Sequence, residues 1–184
     1  MYYVIQVFTK LEEETRKRMI RDLDPSLFID IFIPKKKRIR KKEGVSFEII
    51  ETCFPGYLFM ETNTPVELKK ELYKIKTLTK LLGIDTKHKD YIESLSDDEA
   101  EMIDILMGKA GSKRTIDISH IYLKEGNEIV VVDGPLKGLE GKIIKPDFHK
   151  RTVRVELPLL GQIITADLGI DFIREKVIDD KTNN

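Results

Sequence analysis

The sequence has no tryptophan, a single cysteine (Cys53) and only three histidines. A lone cysteine excludes an intramolecular disulfide and offers no thiolate cluster for a metal, so a reducing cytoplasm is the expected setting. His88, His120 and His149 stand far apart, and none sits in a metal-binding or nucleophile motif. No apolar run is long enough to span a bilayer. The apolar start at residues 1–8 gives way to Lys10 and Glu12-Glu13-Glu14, too soon for a signal peptide. Net charge is absent too: 32 basic residues balance 32 acidic ones, so any attraction for nucleic acid depends on how charge is distributed.

That distribution is uneven. Lys35-Lys36-Lys37-Arg38-Ile39-Arg40-Lys41-Lys42 carries seven positive charges and no negative one. A second excess lies over 137–154, where Lys137, Lys142, Lys145, Lys150, Arg151 and Arg154 outnumber Glu140 and Asp147.

Hydrophobic patterning divides the chain. Residues 2–9 are aromatic and β-branched and predict a buried strand. Thr9 and Glu12 read as a capping box opening a helix that Asp24-Pro25 ends. Residues 27–33, 45–50, 57–61 and 77–84 are strand-like, with the basic run as an exposed connection and Glu43-Gly44 as a turn. Thr64-Pro65-Val66-Glu67 opens a second helix and Ser96-Asp97-Asp98-Glu99 a third. The fold class is therefore α+β, a mixed sheet with three helices over residues 1–108. A glycine-rich, charged stretch then predicts a linker at 109–123. Beyond it, five short runs at 128–132, 141–145, 152–157, 162–166 and 171–174 predict a small five-stranded barrel over 124–177, followed by a tail at 178–184.

Two stretches carry a family resemblance. Cys53-Phe54-Pro55-Gly56-Tyr57-Leu58-Phe59-Met60 resembles the signature of the N-terminal (NGN) domain of the bacterial NusG family. The run from Glu125 to Ile143, with Asp133-Gly134-Pro135-Leu136-Lys137-Gly138 at its centre, resembles a KOW motif, the mark of its SH3-like C-terminal barrel. Together they cover nearly the whole chain in the family's order. The resemblance implies a non-enzymatic transcription factor without cofactor, monomeric when free, whose first domain docks on the clamp helices of RNA polymerase. By matching position, Phe54, Tyr57, Phe59 and Leu81 fall where the family builds its apolar docking pocket; on the residues alone they read as ordinary core.

At the barrel tip, Leu159-Leu160-Gly161-Gln162 lacks the aromatic and the arginine that the housekeeping members present to a ribosomal protein. This departure and the basic barrel resemble specialised paralogues of the LoaP type, antiterminators that recognise a hairpin in leader RNA. Lys137, Lys142, Lys145, His149, Lys150, Arg151 and Arg154 are the candidate RNA contacts; the alternative is a solvated charged rim. For Lys35, Lys36, Lys37, Arg38, Arg40, Lys41 and Lys42 three readings stay open: contact with upstream-fork DNA or polymerase, contact with RNA, or a solvated hairpin. Competing functions are a housekeeping elongation factor whose barrel binds a ribosomal protein or termination factor, and a ribosome-associated KOW protein. No catalytic or metal-ligating residue is expected, because the three histidines sit in no metal or nucleophile motif, Cys53 reads as packing, and Gly134, Gly138 and Gly141 lack dinucleotide or P-loop spacing.

Overall fold

The computed structural model describes residues 1–72, 75, 80–81 (backbone alone), 94–107, 114–125 and 128–173. His88, the linker residues 109–113 and the tail therefore lie outside the described residues, as does most of the 77–84 strand.

The N-terminal unit is built on β1 (Tyr2–Gln6), an aromatic and β-branched run that suits a doubly covered strand. The sheet order is β2 (Asp30–Phe32), β5 (Tyr57–Glu61), β1, β6 (Lys80–Leu81), with all three ladders antiparallel. Side chains alternate across a strand, and here each face meets its own helices. Tyr3, Ile5, Leu58 and Met60 pack with Met19 and Leu23 of the α1 end (Glu12–Asp22) and with Leu68 and Leu72 of α2 (Pro65–Leu72). Val4, Phe32 and Phe59 join Met102, Ile103 and Leu106 of α3 (Asp97–Met107) on the other face. The two apolar faces of β5, ambiguous in sequence, are thus both covered.

Helix starts follow the sequence unevenly. At α3 the capping box forms: Ser96 N–H donates to Glu99 Oε2 at 2.9 Å, and Glu99 N–H to Ser96 Oγ at 3.2 Å. At α1 it does not. Leu11 is the N-cap, without a side-chain bond, and Glu12 turns inward to accept the Gly56 N–H at 2.6 Å. A buried backbone donor outcompetes the exposed cap for that carboxylate.

The basic run is not a connection but a strand. β3 (Lys35–Lys42) pairs along its whole length with β4 (Val45–Thr52), joined by Glu43 and Gly44 with φ of 51° and 85°, the positive-φ pair a tight hairpin turn requires. On its other edge β3 pairs in parallel with β7 (Thr115–Ile116), so part of the expected linker is a strand.

The C-terminal sheet has the order β10 (Ile143–Asp147), β11 (Thr152–Leu159), β12 (Gln162–Phe172), β8 (Ser119–Leu123), β9 (Ile129–Asp133). Its curled form fits the expected SH3-like unit as a half-barrel, with no ladder between β9 and β10 among the described residues. Two strand assignments change. The runs at 162–166 and 171–174 merge into one strand through Gly169, and the fifth strand comes from Ser119–Leu123, inside the segment read as linker. The core of the half-barrel (Ile121, Val131, Val153, Val155, Leu157, Leu168, Ile170) is continuous with the α3 face of the N-terminal sheet.

Candidate polymerase and nucleic-acid interfaces

Rings dominate the α3 face. Tyr2, Phe32, Phe59 and Phe54 form a chain with centroid spacings of 5.6, 5.6 and 5.8 Å. Phe54 is 2% and Phe59 0% exposed, so both are packed core, whereas Tyr57 is half-buried and reachable. The Cys53–Gly56 turn that presents them is clasped from behind by Glu12 and by the Val7 N–H, which donates to the Gly56 carbonyl at 2.8 Å. Leu81 pairs with Ile5 through its backbone; its side chain lies outside what is described. Cys53 is buried and burial pushes its thiol up to about 12, which removes it as a nucleophile.

Arg114, not singled out from sequence, ties this face to the chain beyond. Its guanidinium lies 3.9 Å from the Phe32 ring centroid and donates to Asp30 Oδ2 at 3.1 and 2.9 Å and to Tyr2 Oη at 3.2 Å. Tyr2 in turn donates to Asp104 at 3.0 Å. Burial raises the Tyr2 phenol above its ordinary value against the lowering pull of Arg114. The only sequence signal was one arginine at the end of a glycine-rich stretch.

In the hairpin, paired residues share a face. One face carries Lys36, Arg38, Arg40 and Lys42 opposite Glu51, Ile49, Phe47 and Val45. Glu51 serves three cations: Arg38 Nη1 at 2.8 Å, Lys36 Nζ at 3.6 Å and Arg40 Nη2 at 3.8 Å. Burial raises its carboxyl, but the Arg38 bond and the charges of all three cations outweigh it and hold Glu51 below its ordinary value. Lys37 pairs with Asp117 at 3.1 Å. Lys35, Lys41 and Lys42 are exposed and without an ion pair among the described residues.

The half-barrel disposes its charges differently. Arg154 makes a two-point contact with Asp167 at 2.7 and 3.1 Å, Arg151 meets Asp171 at 2.9 Å, and Lys150 meets Asp147 at 2.9 Å. The Arg154 bond holds the Asp167 carboxyl low, with further help from the fields of Lys36 and Arg38. Arg151 sits in the turn before β11 with φ of 50°, so strand parity does not relate it to Arg154. Lys137, Lys142, Lys145 and His149 are exposed and lack an ion pair among the described residues. The tip is engaged: Leu159 is buried, and Leu160 N–H donates to Glu99 Oε1 of α3 at 2.8 Å. Among the described residues, no group of His, Cys, Asp and Glu could hold a metal ion, and no helix is long and apolar enough to cross a membrane.

A ring-rich sheet backed by helices, linked to a small sheet rimmed with cations, is the frame of a binding protein. The family model described as the transcription termination factor nusG matches residues 1–104, over half of the chain, and the chain belongs to the NusG family of transcription factors. It is accordingly a transcription factor and not an enzyme.

Among its relatives, the transcription termination/antitermination protein NusG of Streptococcus pyogenes serotype M3 is 23% identical over 180 residues, covering 95% of each chain. That of Treponema pallidum is 25% identical over 178 residues, covering 92% of this chain and 95% of its own. A chain in the crystal structure of an MjSpt4:Spt5 complex aligns over 91% of this chain and 94% of its own, at 14% identity and a TM-score of 0.30.

Proposed function

We propose that this factor is a processive antiterminator of the LoaP type, which docks on the RNA polymerase clamp helices through its N-terminal domain and is recruited by structured leader RNA through its basic half-barrel. Tyr57 supplies the reachable ring of the docking surface, and Phe54 and Phe59 hold it from beneath as packed floor. Leu81 is the fourth member by position. A rigid ring on a fixed turn buries large area against a helical hairpin at small entropic cost.

The observation that carries the RNA reading is the rim itself. Lys137 and His149 in turns, Lys142 at the end of a short 3-10 helix and Lys145 on β10 are exposed without an acidic partner among the described residues, so they are available to phosphate. Arg151, Arg154 and Lys150 are already ion-paired, and they contribute only by exchanging a carboxylate for a phosphate. The engagement of Leu160 with Glu99 weighs against the alternative in which the tip serves a ribosomal protein or termination factor.

The test is binding of the full chain to leader-RNA stem-loops, single-stranded RNA and duplex DNA at two salt concentrations. Stem-loop-selective binding that persists at the higher salt supports recruitment by RNA. Weak, salt-abolished binding to all of them returns the protein to general elongation. For docking, Tyr57→Ala is expected to weaken polymerase association about tenfold or more; intact association refutes the assignment.

A further inference from the structure

Strand β12 of the half-barrel packs across β3 of the hairpin at a glycine. A Cβ on Gly169 would lie 2.4 Å from the Lys37 carbonyl oxygen and 3.3 Å from the Arg38 Cα, and its nearest neighbours are all hairpin atoms. The two backbones therefore touch. Asp167 lies two residues along on the same face, within the fields of Lys36 and Arg38. In the ladders Asp167 opposes Arg154, and Arg154 opposes Lys145, so these three form a row across adjacent strands leading to the hairpin.

The charges along this seam do not balance. Lys36, Arg38 and Arg40 share Glu51, and Arg154 holds Asp167 within the fields of Lys36 and Arg38, so four cations face two carboxylates. Arg38 Nε is buried without a hydrogen-bond partner. An excess of cation held between two docked units opposes their docking unless anions come to it. Phe47, 42% exposed, stands opposite Arg40 on the same hairpin face. Cations beside an accessible ring are what a phosphodiester chain with an unpaired base needs: phosphate contacts for affinity and a stacking surface for the base.

We propose that hairpin and half-barrel together form one phosphodiester-binding band, running from Lys145 through Arg154 to Arg38 and Arg40, which exists only while Gly169 packs on the Lys37 backbone. The band rests on the reading of the half-barrel as an RNA binder and extends the RNA path onto the N-terminal unit. RNA and single-stranded DNA share the recognised chemistry, and the experiment separates them.

The experiment measures fluorescence anisotropy of the full chain with a labelled RNA stem-loop and with single-stranded DNA of the loop sequence. Gly169→Ala keeps every charge and places a methyl group into the Lys37 carbonyl. It is expected to weaken binding about tenfold, as is Arg38→Gln. Arg38→Gln added to Gly169→Ala is expected to cost little more, because the seam is already parted. Gly169→Ala binding like the wild type overturns the band while leaving RNA binding by the rim intact. Should Gly169→Ala lose its folded circular-dichroism spectrum, the cycle of Arg38→Gln and Arg154→Gln decides. Losses that are not additive support one shared site; additive losses overturn it. A wild-type chain that binds neither probe refutes the RNA reading and the band together. Equal dependence on Gly169 for DNA supports the band with DNA as its occupant.

Discussion

The two basic segments of this chain, unequal in sequence, draw level once folded, each leaving three exposed lysines without an ion pair among the described residues. The hairpin run is the denser in sequence, yet it spreads its cations over two strand faces, buries Lys36 and gathers three of them on one carboxylate, Glu51. The half-barrel has fewer cations more widely spaced. Its arginines each hold a private aspartate while Lys137, Lys142 and Lys145 stay open to solvent. Charge counted along a chain is therefore a poor guide to charge presented. One shared carboxylate leaves surplus in a confined place, and private pairs leave none.

The largest effect is expected at Gly134, whose carbonyl accepts the Lys137 N–H at 3.1 Å in the turn that presents this lysine. The φ of Gly134 is +92°, and a Cβ there would meet the Ser119 Cα at 2.6 Å. Gly134→Ala is expected to destabilise the half-barrel by about 2–4 kcal/mol, seen as a lowered urea midpoint and loss of rim-dependent RNA binding with the hairpin still folded. An unchanged midpoint would contradict the turn as described.

Next comes Glu51→Gln, which leaves Lys36 and Arg38, with side chains 9% and 16% exposed, without their shared anion. Loss of a largely buried partner costs several kcal/mol. Because Glu51 is itself 30% exposed, about 2 kcal/mol is expected, again by urea titration. A change near zero would mean that water, not Glu51, balances the hairpin.

Acid offers a gentler version of the same break. Glu51 and Asp167 are both held below their ordinary values in the fold. Their contribution is thus complete above the unfolded carboxylate range and is lost as pH falls through the depressed folded values. The hairpin–barrel seam should loosen only below about pH 4, with a flat profile near neutrality. A midpoint in the histidine range would point elsewhere. The smallest effect belongs to Arg154→Gln. Its pair with Asp167 is exposed, so the melting temperature should stay where it is while RNA affinity drops. A clear fall in melting temperature would show that the pair holds the sheet together.

Much of this fold was legible. The apolar strand at Tyr2–Gln6, the proline-led helix at Pro65 and the capping box at Ser96 rest on local interactions that the sequence states directly. The misreadings share a cause: partners distant in sequence. β3 carries almost no apolar alternation and is a strand because β4 and β7 pair with it on both edges. Gly169 looks like a strand break and is a point of contact with the hairpin. Ser119–Leu123 is too short a run to identify without the parallel ladder to β12.

The candidate site divides in the same way. The residues alone read Phe54 and Phe59 as core, and they are buried; that Tyr57 of the same signature stays half-buried was not readable, since it depends on how α3 and the half-barrel pack on that face. Which arginines are already paired depends on aspartates that lie 13 and 20 residues away.

The parallel strand β7 fixes how far the half-barrel can stray. Arg114 is anchored on Asp30 and Phe32, Thr115 and Ile116 are laddered to Lys35 and Lys36, and the half-barrel's first strand begins at Ser119. Only Asp117 and Ile118 intervene, so the three steps from Ile116 to Ser119 reach at most about 11 Å when extended. On so short a leash the effective concentration of half-barrel at the hairpin is set by those two residues, and the glycine-rich stretch ahead of Arg114 has no part in it. Insertions in that stretch are therefore silent for the pairing of the two basic surfaces, whereas even a small insertion between Ile116 and Ser119 dilutes one surface from the other.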